Sequence, residues 1–159
     1  MRVKKIKKVL ITLDYNPTAQ KVAEAGFSLA KTLNAEAILL HVISESVLYS
    51  SYYAMGAAYD GYVDLELLKL ETAEGREEIS KRFLDQSKQH LGDKSIKTLA
   101  KEGTAAEIIK ETAEKLHVDT IVMGSHSQRW LENILLGSVT EKVLHHTSIP
   151  LFIVPTKAK

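Results

Sequence analysis

Four short, near-continuous apolar runs limit what this chain can fold into: "VLITL" at 9–13, "AILLHVI" at 37–43, "TIVM" at 120–123 and "LFIVP" at 151–155. A weaker fifth, "SIKTLAK" at 95–101, has Ile96 and Leu99 as its main apolar residues. A strand with one wet face alternates apolar and polar residues. Runs without that alternation suit strands covered on both faces, as in a parallel sheet between two layers of helices.

Helical patterns fill the intervals. After Asp14, Asn16 is placed to cap a helix and Pro17 to open it. Val22, Gly26, Leu29 and Leu33 then fall on one face. A second helix is predicted over 65–91, with Leu65, Leu68, Thr72, Ile79 and Phe83 inward and the pairs Glu77–Lys81 and Glu78–Arg82 on the solvent side. "GTAAEII" opens a third and "GSVTEKV" a fourth, and Thr104–Glu107 and Ser138–Glu141 have the spacing of capping boxes. The order is β-α-β-α-β-α-β-α-β. Strict alternation with right-handed crossovers predicts an α/β fold with an open, doubly wound, five-stranded parallel sheet and helices on both faces. The 159 residues suit one domain spanning 1–159.

One connection is long. Residues 44–64, "SESVLYSSYYAMGAAYDGYVD", hold five of the six tyrosines (Tyr49, Tyr52, Tyr53, Tyr59 and Tyr62). Loops of this length are commonly functional or disordered. A surface excursion, a dimer contact and a flap over a ligand all remain open for it.

Charge and composition exclude several function classes. A net charge of +1 provides no general attraction for nucleic acid or membrane, and no nucleic-acid-reading motif is present. "KKIKK" near the N-terminus reads as a solvated strand entrance. There is no cysteine, so thiol chemistry and disulfides are excluded. No stretch reaches the roughly 18 apolar residues of a membrane span. The expected location is the cytoplasm. Metal enzymology has little support: His145 and His146 are adjacent and cannot share a helix face, and no H-E-x-x-H pattern occurs. His41, inside an apolar strand, reads as a hydrogen-bonded core residue.

In open parallel sheets, ligands bind beyond the carboxyl ends of the strands, at the switch point in strand order. The candidate loops are Thr12–Asn16, Val42–Glu45 and Gly124–Gly137. Glycine lets a ligand approach the backbone closely, and Ser138 starts a helix whose first N–H groups favour an anion. Ser125, His126, Ser127, Arg129, Ser138 and Thr140 add donors. Asp14 is an acceptor, suited to a ribose hydroxyl, an adenine amino group or a metal. The same residues also admit a plainer use: Gly137–Ser138 as a turn and cap, and Asp14 as the cap of the first helix.

At these residues the chain resembles the universal stress protein family, of the UspA type. The likeness runs through "VLITLD", "LLHVI", "GTAAEIIKETAEKLHVDTIVMGSHS" and "LLGSVTEKVLHHTSIPLFIVP". The family's ATP-binding branch carries G-x-x-G, nine residues, then G-S or G-T. Gly124 matches the first glycine and Gly137–Ser138 the final pair, with 128–136 between. Ser127 replaces the second glycine, and Trp130 stands where the family often has another. The resemblance implies strand order 3-2-1-4-5 and an adenine nucleotide, ATP or another, with Mg²⁺ as a possible companion of the phosphates. It places adenine and ribose near Thr12, Leu13, Asp14 and Val42, with Met123 lining the adenine side. Phosphates fall near Gly124, Ser125, His126, Ser127, Gly137, Ser138, Val139 and Thr140. It also implies a homodimer through Leu151–Val154, an apolar segment that would lie at a sheet edge and need cover.

The expected function is nucleotide-binding stress-response regulation. The alternatives are a dimeric interaction or scaffold protein of the same fold that binds no nucleotide, and a slow ATP hydrolase using His126 and Arg129. No Walker A lysine motif is present, and no catalytic residue is assigned.

Overall fold

A computed structural model describes residues 3–44, 72–125 and 136–156. Five strands form one sheet: β1 (Lys8–Thr12), β2 (Glu36–Ile43), β3 (Lys97–Glu102), β4 (Thr120–Gly124) and β5 (Leu151–Val154). All neighbours are parallel, in the order β3-β2-β1-β4-β5. Among the described residues the helices are α1 (Ala19–Leu33), α2 (Ala73–Leu91), α3 (Ala105–Lys115) and α4 (Ser138–His146). The predicted fold class and strand order are those observed. β1 is central, and the chain reverses direction across the sheet between β1 and β4, which makes their carboxyl ends the switch point.

Each inner strand feeds two cores. Val9, Ile11, Leu39 and Val122 pack with Val22, Ala23 and Ala30 of α1 and Leu84 of α2. Leu10, Ile38, Leu40, Ile121 and Met123 pack with Ile109 and Ala113 of α3 and Val143 of α4. Strand side chains alternate between faces, so the unbroken apolar runs supply both cores at once. α1 lies close against β1: a Cβ at Gly26 would meet Ile11 Cγ1 at 2.8 Å.

The helix starts differ from expectation. Asn16 does not cap α1 directly. Its side-chain oxygen accepts from the Thr18 N–H at 3.0 Å and the Thr18 hydroxyl at 2.7 Å, forming a turn that delays the helix to Ala19. α2 is regular from Ala73, and Thr72 is its cap rather than part of its stripe, accepting from the Gly75 N–H at 3.0 Å. Leu65 and Leu68 lie outside the described residues. The Glu77–Lys81 and Glu78–Arg82 pairs form, at 2.8 and 3.3 Å. Neither capping box closes. Thr104 holds the cap position without a side-chain bond. At α4 the cap position falls to Gly137, because Glu141 N–H already bonds the Gly137 carbonyl.

At the amino end of the sheet, Asp119 accepts from the backbone N–H groups of Lys7 (2.8 Å) and Lys8 (3.0 Å) and pairs with Lys4 at 2.7 Å. The bond from Lys4, followed by that from Lys7, holds its carboxyl below the usual range. The lysine-rich entrance is thus tied to the loop before β4, at the end of the sheet opposite the candidate site.

Candidate functional site

A cavity of about 690 Å³ opens at the carboxyl ends of β1 and β4, within the size range of small-molecule sites. Three helices begin at its wall: α1 at Thr18 and Ala19, α3 at Ala105, and α4 at Gly137 and Ser138. This follows from the fold, since in a parallel sheet every crossover helix starts where a strand ends. The positive ends of three helix dipoles therefore converge on one cavity.

The donor end is α4. Ser138, Val139 and Thr140 occupy its first turn and line the cavity. The Glu141 N–H is the first to bond within the helix, to the Gly137 carbonyl at 2.9 Å, so the three preceding N–H groups lack intrahelical partners. Gly137 at the cap position brings no side chain to them. Ser138 is exposed.

The acceptor end is the β1–α1 loop. Leu13 and Tyr15 are buried, at 4% and 3% exposure, while Asp14 between them is exposed and lines the cavity. One Asp14 carboxylate oxygen accepts from the Asn16 N–H at 3.0 Å. The other makes no hydrogen bond among the described residues. Leu40, Val42, Ile109, Met123 and Val139 give the cavity an apolar wall.

Other predicted residues serve the scaffold. The Thr12 hydroxyl donates to the Val122 carbonyl at 3.2 Å, stitching β1 to β4. Thr140 is buried, and its hydroxyl donates to the Gly124 carbonyl at 3.0 Å. Ser125 is turned toward β5: its N–H donates to Val154, and its hydroxyl accepts from the Thr156 N–H at 3.0 Å. It does not line the cavity. His126, Ser127, Arg129 and Trp130 lie outside the described residues.

Asn16, in the predicted Thr12–Asn16 loop, lines the wall, and so do residues the sequence did not flag, chiefly Thr18, Ala105, Ile109, Glu141 and Thr156. Ala105 and Thr156 follow β3 and β5, and the rule that flagged the other loops extends to these two. Among the described lining residues the charged groups are Asp14 and Glu141, with no lysine or arginine. Backbone dipoles and neutral donors would carry anion binding there. Among the described residues no cluster of His, Asp or Glu is arranged to hold a metal. His145 faces Glu141 at 3.8 Å, and His146 bonds the Lys142 carbonyl.

His41 lines the cavity beside the acceptor loop. It is 3% exposed, and its Nδ1 lies 2.7 Å from the Leu13 carbonyl oxygen. Burial pushes its pKa down, against the smaller raising effects of the Leu13 bond and the Asp14 charge. The expected core role is observed.

The universal stress protein family model matches residues 5–155. This chain belongs to the universal stress protein family. Universal stress protein MJ0577 of Methanocaldococcus jannaschii is 34% identical over 156 residues, covering 95% of this chain and 96% of that protein. The solved structure of MJ0577 superposes with a TM-score of 0.66 over 98% of this chain and 100% of that one, at 30% identity. Two more distant members share the fold. A universal stress protein solved in complex with cAMP has a TM-score of 0.63 at 18% identity, over 97% of this chain and 100% of that one. An Arabidopsis thaliana member solved with AMP bound has a TM-score of 0.60 at 14% identity, over 96% and 93%. Among the described residues no helix is long and apolar enough to cross a membrane.

Proposed function

We propose that this universal stress protein binds an adenine nucleotide in the cavity between β1 and β4 and acts as a regulatory module rather than a catalyst. One observation carries the proposal: an α4 N-terminus whose cap position is a glycine and an exposed Asp14 line one cavity together with an apolar wall. The wall suits adenine, Asp14 suits a ribose or amino donor, and the α4 N–H groups suit phosphate. The AMP and cAMP held by two proteins of this fold support the ligand class. ATP accompanied by Mg²⁺ is the fuller form of the proposal. With two carboxylates and no described cation at the wall, the metal would travel with the phosphates and offset their charge. Carried over from the family motif, His126 and Ser127 complete the phosphate end.

The proposal includes the cytoplasm as site of action, one domain over 1–159, and a homodimer through Leu151–Val154. The two sheet edges differ. β3 carries Lys97 and Lys101 along its edge, whereas β5 is "LFIV" with Phe152 at 41% exposure. Charged edges resist pairing and bare apolar edges invite it.

Thermal unfolding with adenosine, AMP and Mg-ATP tests the ligand. At about 100 times the dissociation constant a ligand stabilises by about 2.7 kcal/mol, or roughly 5–10 °C for a chain of this size. AMP and Mg-ATP should each exceed adenosine. No shift with any of the three would end the nucleotide proposal.

A further inference from the structure

The imidazole of His41 carries an anomaly that a core role leaves unexplained. The Leu13 carbonyl can only accept, so Nδ1 bears the proton and donates to it at 2.7 Å. Nε2 is then a bare acceptor, and it is buried with no hydrogen-bond partner among the described residues. Around it are rings. Tyr15 lies 4.3 Å from the imidazole, centroid to centroid, and Phe83 of α2 lies 5.5 Å away, edge-on. Phe83 also meets Tyr15 at 5.0 Å. An apolar side chain would fill this place without burying an unpaired nitrogen.

The two groups that hold the imidazole belong to residues 13 and 15. The Leu13 carbonyl takes its proton, and the Tyr15 ring packs on its face. Between them Asp14 is exposed at the cavity. We infer that His41 is a positioning residue for the ligand site: by gripping Leu13 and Tyr15 it clamps both flanks of Asp14 and presents its carboxylate to the ligand. Phe83 closes the back of the clamp, which couples α2 to the site although no α2 residue lines the cavity. This role rests on the nucleotide proposal above, but the ordering of the loop can be measured without a nucleotide.

The test compares His41→Leu, His41→Asn and His41→Gln with the wild type. Asparagine places an amide donor near the position of Nδ1; glutamine places one near Nε2; leucine has neither. Amide hydrogen exchange at residues 14–16 is read in the unliganded proteins, with Leu10 and Ile11 of β1 as internal controls. Binding of AMP is read by calorimetry. His41→Leu and His41→Gln should exchange at least tenfold faster at 14–16, with Leu10 and Ile11 unchanged, and bind AMP at least tenfold more weakly. His41→Asn should return both to within about threefold of wild type. Wild-type exchange at 14–16 in His41→Leu would overturn the clamp, as would faster exchange spread equally through β1. If His41→Leu does not fold, the Asn and Gln variants still decide, since equal behaviour of the two refutes a donor aimed at Leu13. Failure of the wild type to bind AMP would sink the nucleotide proposal, while the exchange data would still judge the clamp.

Discussion

Proline at position 138 separates ligand binding from folding. Position 138 opens α4, where the backbone N–H has no intrahelical partner to lose. Proline is favoured at the first helical position because its fixed φ already suits the helix. The residue before a proline must be extended, and Gly137 is, with φ −62° and ψ 159°. Unliganded Ser138→Pro should therefore be as stable as wild type or more stable by about 0.4–1 kcal/mol, roughly 1–4 °C. Phosphate binding loses one backbone donor and one hydroxyl. A hydrogen bond to a charged group contributes about 1.5–3 kcal/mol, so loss of the backbone donor alone should weaken AMP binding roughly ten- to a hundredfold, and loss of the hydroxyl adds to it. Adenosine, which has no phosphate, should bind both proteins alike. Ser138→Ala, which keeps the N–H, isolates the hydroxyl. The assay is calorimetric titration beside a melting curve. Unchanged AMP affinity in a fully folded Ser138→Pro protein would refute the placement of phosphate at α4. Equal losses for AMP and adenosine would mean that the change disturbed the whole cavity.

Three further outcomes follow from the packing. Gly26→Ala gains about 0.5–1 kcal/mol of helix preference but pushes a Cβ to 2.8 Å from Ile11, which is fully buried. Overpacking costs about 1–3 kcal/mol, so denaturant titration should show a net loss of up to about 2 kcal/mol, and the same change in an Ile11→Ala background should be neutral or stabilising. Burial holds His41 below its ordinary value of 6.5 in the folded chain, so the unfolded chain takes up the proton first. Its contribution to stability is complete above pH 6.5 and is lost as pH falls from there toward the folded value; His41→Asn should flatten that part of a stability–pH curve. Phe152→Glu places a charge on the β5 edge and should abolish the proposed dimer, giving a smaller mass than wild type by light scattering at equal concentration. Identical masses for the two proteins would remove β5 as the interface.

The sheet was legible because its strands carry two faces of apolar residues. Leu10 and Ile11 are adjacent, both wholly buried, and feed opposite cores; no half-exposed strand would place them side by side. Boundaries were less legible where a polar side chain chose between two local bonds. Asn16 had the identity of a helix cap, yet its oxygen satisfies Thr18 and shifts the start of α1. Ser138 and Glu141 had the spacing of a capping box, yet Gly137 already occupies the extended position before the helix. Spacing identifies the turn, whereas the backbone angles of one residue decide which side chain caps it. Thr156 was missed for a different reason. It belongs to no motif and reaches the site through its hydrogen bonds with Ser125, a contact across 31 positions that no local pattern encodes.

Those unforeseen bonds bear on the serine at 127. A glycine is needed where a loop must adopt a left-handed conformation or let a ligand touch its backbone. Closure of the site at its described ends asks for no left-handed glycine. Gly124 is held to α4 by the Thr140 hydroxyl, and Ser125 is held to β5 through Val154 and Thr156. Gly137 is extended with negative φ, a conformation open to other residues, so its use is close approach rather than strain relief. The beginning of the loop and the α4 donors are thus positioned by bonds that do not involve residue 127. Replacing the motif's second glycine by serine leaves the acceptor end, the apolar wall and the α4 donors in place. On the proposed nucleotide reading, a penalty from residue 127 is expected for the longer phosphate chains alone. Ser127→Gly should accordingly strengthen binding of ATP while leaving AMP nearly unchanged, and an equal gain for both would show that residue 127 shapes the whole site.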